Sequence, residues 1–315
     1  MQIKTISKII KAKLTEWLET ITDEELRKRV KSNILVSGGS ITSMFLGIPV
    51  NDYDIYLKDR AVLYDLTKYY VKDYNDIIIL DGNNRKEHIA ENSSLERVES
   101  IEGSFSSAMR NLQDDQIKLF IKTGNGGLRV NETMEKEKLN YTPLFFSPNA
   151  ISLSNQLQIV IRFFGDAETI HKTFDFIHAT NYFTFEEGLV TNKEALESIL
   201  TKQLKYQGSF YPLTSIIRAK KFLKRNWNIN AGELLKIMFQ ISLLDLQNPD
   251  VLDEQLVGID VVYFERLIII LRSIKEKKKE GYDELMTPEY FNSIIDKVFN
   301  EDDSEEPDDK VLHSD

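Results

Sequence analysis

The chain has 315 residues, 42% hydrophobic and 29% charged, which is long enough for one large domain or two and ordinary for a soluble globular protein. No uncharged apolar run approaches the roughly 20 residues that cross a bilayer, and the opening stretch lacks the apolar core and cleavage site of an export signal, so a cytoplasmic protein without a membrane partner is expected. Disulfide scaffolds, thiolate metal sites and cysteine nucleophiles are excluded by the absence of Cys, and the four His residues (His88, His171, His178, His313) are scattered.

Charge is uneven along the chain. Lys and Arg total 40 against 50 Asp and Glu, and the last 15 residues hold eight of those acids beside one Lys. Residues 201–236 run the other way: eight basic side chains (Lys202, Lys205, Arg218, Lys220, Lys221, Lys224, Arg225, Lys236) against Glu233.

Ile3, Ile6, Ile10, Leu14, Trp17 and Ile21 recur at helical spacing and predict an amphipathic helix over residues 1–30. The apolar run ILVS then meets Gly38, Gly39 and Ser40 and continues as ITSMFLG, which reads as strand, tight turn and short helix. DYDIYL alternates as a strand, placing Asp52 and Asp54 on one face and Tyr53 and Ile55 on the other. A helix (RAVLYDLTKYYVKDY) and a buried strand (DIIIL) follow. Residues 82–115 are polar and weakly periodic and read as a loop insertion. DQIKLFIKT, GNGG and LRV read as a hairpin, AISLS and QLQIVIRFFG as strands, DAETIHKT as a short helix and FDFIHATNYF as a further strand. Helices are expected at 193–205, 212–227, 231–246, 261–278 and 287–299, and a disordered acidic tail at 301–315. No internal repeat is present.

An apolar strand, Gly38-Gly39-Ser40, eleven residues, then Asp52-Tyr53-Asp54 in a second apolar strand resembles the signature of the DNA polymerase beta-like nucleotidyltransferases. The chain also resembles the small nucleotidyltransferases common in bacteriophage genomes, with similarity continuing through FDFIHATNYF and YPLTSIIRAKKFLKR over about residues 32–260. The resemblance implies an α/β (α+β) mixed-sheet nucleotidyltransferase core at 31–185, a helical domain at 186–300, and substrate bound between them. It also implies a third metal-binding carboxylate that accepts the nucleophile's proton, matched here to Asp175, expected on a strand opposite core-facing Phe174 and Phe176. Elementary chemistry fits the assignment. Carboxylates at i and i+2 project together and can share divalent ions, here Mg²⁺ or Mn²⁺, while a glycine turn leading into a helix exposes amides to phosphate.

On a helix, Thr214, Arg218, Lys221 and Arg225 share a stripe opposite a core-facing arc of Leu213, Ile216, Ile217, Leu223 and Trp227. The resemblance favours Arg218 and Lys221 as triphosphate or acceptor contacts, and Arg225 completes the stripe through which RNA would dock. The implied activity is transfer of an NMP from an NTP to an acceptor hydroxyl with release of pyrophosphate, the acceptor being RNA such as a tRNA 3′ end. The alternatives are transfer to a protein or small molecule, or a catalytically silent nucleotide- or RNA-binding module. A packed, hydrogen-bonded role is expected for His178, and none is assigned to His171.

Overall fold

The computed structural model describes residues 1–84, 112–122, 127–130 and 140–246, with positions 105, 108, 248, 251, 252, 255, 289, 292, 293 and 296 besides. Most of the expected insertion at 82–115, the helices expected at 261–278 and 287–299 as continuous elements, and the acidic tail lie outside the described residues. The chain divides into two compact units, one of residues 1–209 with 225–233 and one of residues 210–224 with 234–315.

In the first unit the apolar period of the opening residues builds α1 (Ile3–Thr20), which buries Ile6, Ile10, Leu14, Trp17 and Leu18. The period does not run on to residue 30 as one helix. Asp23 instead accepts hydrogen bonds from Glu25 N and Leu26 N, both at 3.0 Å, and starts α2 (Glu24–Asn33). β1 (Ile34–Ser37) is buried throughout, α3 (Gly39–Leu46) follows at once, and β2 (Tyr53–Leu57) returns antiparallel with Val36 opposite Ile55. α4 (Arg60–Val71) is tied to α1 by a buried bond from Trp17 Nε1 to Tyr70 Oη at 2.8 Å.

Among the described residues the main sheet has eight strands in the order β10-β9-β1-β2-β8-β7-β6-β5. It contains β5 (Leu128–Arg129), β6 (Pro143–Ser147), β7 (Ala150–Leu153), β8 (Leu157–Phe164), β9 (Tyr182–Thr184) and β10 (Gly188–Val190). β2 and β8 pair in parallel while their neighbours are antiparallel, so the sheet is mixed and the mixed α/β class expected from the sequence stands. One face, with Val36, Ile55, Ile159 and Phe183, packs on α1 to α4. The other carries a smaller cluster of Leu35, Tyr56 and Ile170 with Phe174 and Tyr182 against it.

The expected hairpin of DQIKLFIKT with LRV does not form. β4 (Ile117–Ile121) pairs instead with β3 (Ile77–Asp81) in a separate two-stranded sheet, and β5 pairs with β6. The apolar faces of β3 and β4 complement one another over five residue pairs, far more than the two residues of β5 offer. Residue 185, the expected end of the core, lies in the turn between paired β9 and β10, and α6 (Lys193–Thr201) continues in the same unit after the short helix α5 (Ala167–His171). Strands recur further on: β11 (Gln203–Leu204) pairs with β12 (Asn228–Ile229).

In the second unit α7 (Pro212–Lys224) begins at a proline, as expected, but its buried side is Pro212, Thr214, Ser215 and Ala219. Ile216 and Leu223 are 45% and 46% exposed. The difference has a polar cause, since Thr214 Oγ1 donates to Gln255 O inside the unit. Trp227 is not on this helix: beyond Asn226, which adopts a left-handed φ of 60°, it packs in the first unit against His178, ring centroids 4.7 Å apart. α8 (Ala231–Ile241) follows β12.

Candidate active site

β1 ends at Ser37, and Gly38 then takes φ 98°, a conformation that glycine adopts without strain. A Cβ placed there would stand 3.1 Å from Asp54 Oδ2, so the glycine turn and the acid are in contact. Gly39 differs: it opens α3, is exposed between buried neighbours, and a Cβ on it would meet nothing within 4 Å. The protein thus demands glycine at the first position and leaves open space over the second. Next to that space Ser40 is 2% exposed, and its Oγ has no hydrogen-bond partner. A buried hydroxyl at the first turn of a helix, beside the exposed Gly39, suits an anion.

Asp54 is half-buried on β2 and Asp52 is exposed just before it. By strand alternation Asp54 shares the face of Tyr56, Leu35 and Ser37, while Tyr53 and Ile55 are buried on the other; Asp52 lies just outside the strand. Two carboxylates at one end of a strand are the ligand share that Mg²⁺ ordinarily takes from protein, the remainder coming from phosphate and water. Among the described residues no group of three or more His, Cys, Asp or Glu side chains gathers to hold a metal ion, so Asp175 is not brought into a cluster with the pair.

Asp175 also departs from its expected setting. It lies in a bend before the 3₁₀ turn Ile177–Ala179, 7% exposed rather than displayed on a strand. The segment's backbone bonds go to the chain around β11 instead of to the sheet: Gln207 N donates to Asp175 O at 3.0 Å and Ile177 N to Lys205 O at 3.0 Å. Phe174 and Phe176 do not share a core. Phe174 packs on Tyr56, and Phe176 on Tyr206 and His178. His178 is packed as expected, and burial pushes its pKa down to about 4.

The same segment is nevertheless stitched to the glycine turn. Gly38 N donates to Ala179 O at 3.1 Å and Thr42 Oγ1 to His178 O at 3.0 Å. Ser37 Oγ lies 2.9 Å from Asn181 O, 3.1 Å from Ala179 O and 2.9 Å from His171 Nε2. His171, without a role from the sequence alone, therefore buttresses the residue that leads into the turn. The signal available was Ser37, a polar residue closing an otherwise apolar strand.

The basic residues divide between the units. Arg218 is half-buried and Lys221 exposed on α7, in the second, while Arg225 is exposed beyond the helix end, in the first.

The fold and this arrangement define a mixed α/β protein in which a glycine turn entering a helix meets an acid on the neighbouring strand. Residues 8–202 match the family described as Gabija anti-defense 2 family protein, and the chain belongs to that family. It is 22% identical over 287 residues to "Gabija anti-defense 2" of Bacillus phage SPbetaL7, an alignment covering 90% of this chain and 54% of the relative. The chain thus spans about half the length of that curated relative. Solved structures with some similarity include a CCA-adding enzyme in complex with CTP (13% identity, 95% of this chain and 70% of that one, TM-score 0.38). A Thermotoga maritima CCA-adding enzyme complexed with tRNA is another (12% identity, 95% and 70%, TM-score 0.36). Among the described residues no helix is long and apolar enough to cross a membrane.

Proposed function

We propose that the protein is a metal-dependent nucleotidyltransferase that moves an NMP from an NTP to an acceptor hydroxyl and releases pyrophosphate. The observation that carries this reading is the contact of Gly38 with Asp54 beside the unpartnered, buried Ser40 hydroxyl. Phosphates lie over Gly39, where exposed amides and Ser40 Oγ donate to them. Asp52 and Asp54 would hold Mg²⁺ or Mn²⁺, which would supply charge neutralisation and lower the pKa of the attacking hydroxyl. Asp175 acts on the acceptor side, and Arg218, Lys221 and Arg225 offer positive charge to phosphate. The acceptor is RNA such as a tRNA 3′ end, and the local positive charge of residues 201–236 supports a polyanion over a protein or small molecule. The family name and the phage relative support an activity deployed in the host cytoplasm against a bacterial defence.

The test is incubation of the full chain with each labelled NTP, manganese or magnesium, and total cellular RNA or protein. Label should enter RNA. Asp52→Asn and Asp54→Asn should each cut transfer to about one hundredth or less with the fold retained. Near-normal transfer by either variant would remove the pair from the site, and label entering protein alone would replace the acceptor.

A further inference from the structure

A polar row crosses the main sheet beside Asp54. Asp54 on β2 stands in register with Gln158 on β8, and Gln158 with Ser152 on β7. Ile151, Leu153, Leu157 and Ile159, their neighbours along β7 and β8, are buried in the large core, so by alternation Ser152 and Gln158 point to the other face, where Asp54 lies. All three are half-buried. The next residues along that face, Tyr56 and Val160, belong to its apolar cluster, which gives way to polar side chains at this row. Nothing in the reaction above uses Gln158.

The hydrogen-bond network assigns the amide one sense. Gln158 Nε2 donates to Ser152 Oγ at 3.3 Å, and Oε1 remains to accept. β7 and β2 flank β8 on opposite sides. An amide carries its oxygen and nitrogen on opposite sides of the Cγ–Cδ bond, so a nitrogen turned to β7 turns the oxygen towards β2 and the carboxylate of Asp54. Neighbouring strands lie about 5 Å apart, and one ion can reach both side chains. A carbonyl and a carboxylate only accept, and a cation between them satisfies both. An oxygen-only set of this kind suits a hard divalent ion such as Mg²⁺ or Mn²⁺.

We propose that Gln158 is a neutral third protein ligand of the divalent ion that Asp52 and Asp54 would hold, binding it through Oε1. The inference rests on the metal site in the function proposed above and adds to it a residue that is not an acid. With two carboxylates and an amide the loaded site is neutral, whereas a third acid would set net negative charge against the incoming triphosphate.

The test measures binding of Mn²⁺ alone to the full chain by electron paramagnetic resonance, with no nucleotide present. Gln158→Leu, which removes the ligand, should weaken binding about tenfold, and Gln158→Glu, which adds a charge to it, should tighten binding about tenfold. In the unaltered chain saturating Mg²⁺ should move the Gln158 Cδ resonance in carbon NMR, a measurement that stands whether or not either variant folds. Unchanged Mn²⁺ affinity in Gln158→Leu, binding no tighter in Gln158→Glu, or a static Cδ resonance overturns the inference. Asp54→Asn separates it from the reading beneath it. Loss of Mn²⁺ in Asp54→Asn with none in Gln158→Leu removes Gln158 alone, whereas undiminished binding by Asp54→Asn, or no binding by the unaltered chain, removes the acid pair and this inference with it.

Discussion

Gly38 and Asp54 are neighbours by necessity: only the missing side chain of the first leaves room for the carboxylate of the second, 3.1 Å from where a Cβ would stand. Gly38→Ala should therefore destabilise the fold by about 1–3 kcal/mol, from its φ of 98° together with the displaced carboxylate. Gly39→Ala, with open space over a helical position, should hold or gain up to about 1 kcal/mol yet weaken binding of the magnesium–ATP complex. Urea denaturation and calorimetry read the two effects. Equal destabilisation by both variants, with ATP affinity unchanged at Gly39, would make the turn a strand ending only.

A second expectation concerns Arg60 and Asp81. The guanidinium meets the Asp81 carboxylate, 3% exposed, which also accepts from Asn83 N at 3.0 Å and Asn84 Nδ2 at 3.1 Å. Arg60→Ala leaves a buried charge without its counterion and should cost roughly 3–5 kcal/mol in chemical denaturation. Arg60→Met combined with Asp81→Leu should recover much of that loss.

The third is a pH dependence set by His171. Its pKa is about 4 when folded, against 6.5 as the ordinary value, so the unfolded chain binds the extra proton between those limits. The stabilisation is fully present above pH 6.5, declines as the pH falls through the window, and is gone below about pH 4. The change amounts to roughly 2 kcal/mol once the solvent-facing edge of the ring is allowed for. His171→Gln, which can still donate to Ser37, should flatten this part of the stability profile.

The fourth concerns Arg218, Lys221 and Arg225. If they meet an RNA backbone, log affinity falls with log salt, and removing each charge should lower that slope by about one unit. Loss of NTP affinity without a change in the RNA slope would confine them to the triphosphate. No response in either would return them to solvated surface.

Local chemistry made half of the site legible. An apolar run stopping at two glycines and a strand alternating Asp with Tyr and Ile are patterns that short-range sterics enforce, and the structure sets Gly38 against Asp54 accordingly. Pairing between distant segments was not legible. The strand at 117–121 is apolar whichever neighbour it joins, and complementarity with residues 77–81 decides. Asp175 falls outside a strand for the same reason, because aromatic neighbours mark burial without marking a sheet, and the bonds that shape its bend, from Gln207 N to Asp175 O and from Ile177 N to Lys205 O, are made with a segment some 30 residues on. On α7 the apolar count suggested one buried arc, whereas Thr214, through Gln255, turns another side inward.

The parallel pairing of β2 with β8 joins strands whose ends lie 100 residues apart, from Leu57 to Leu157. Among the described residues no strand comes between β2 and β8, and Asp54 stands in register with Gln158. Length can accordingly be gained or lost between β3 and β4 while the acid keeps its station beside Gly38. Related chains are thus free to differ most in the residues linking those two strands while keeping one site geometry, as a toolholder accepts new blades without being recast.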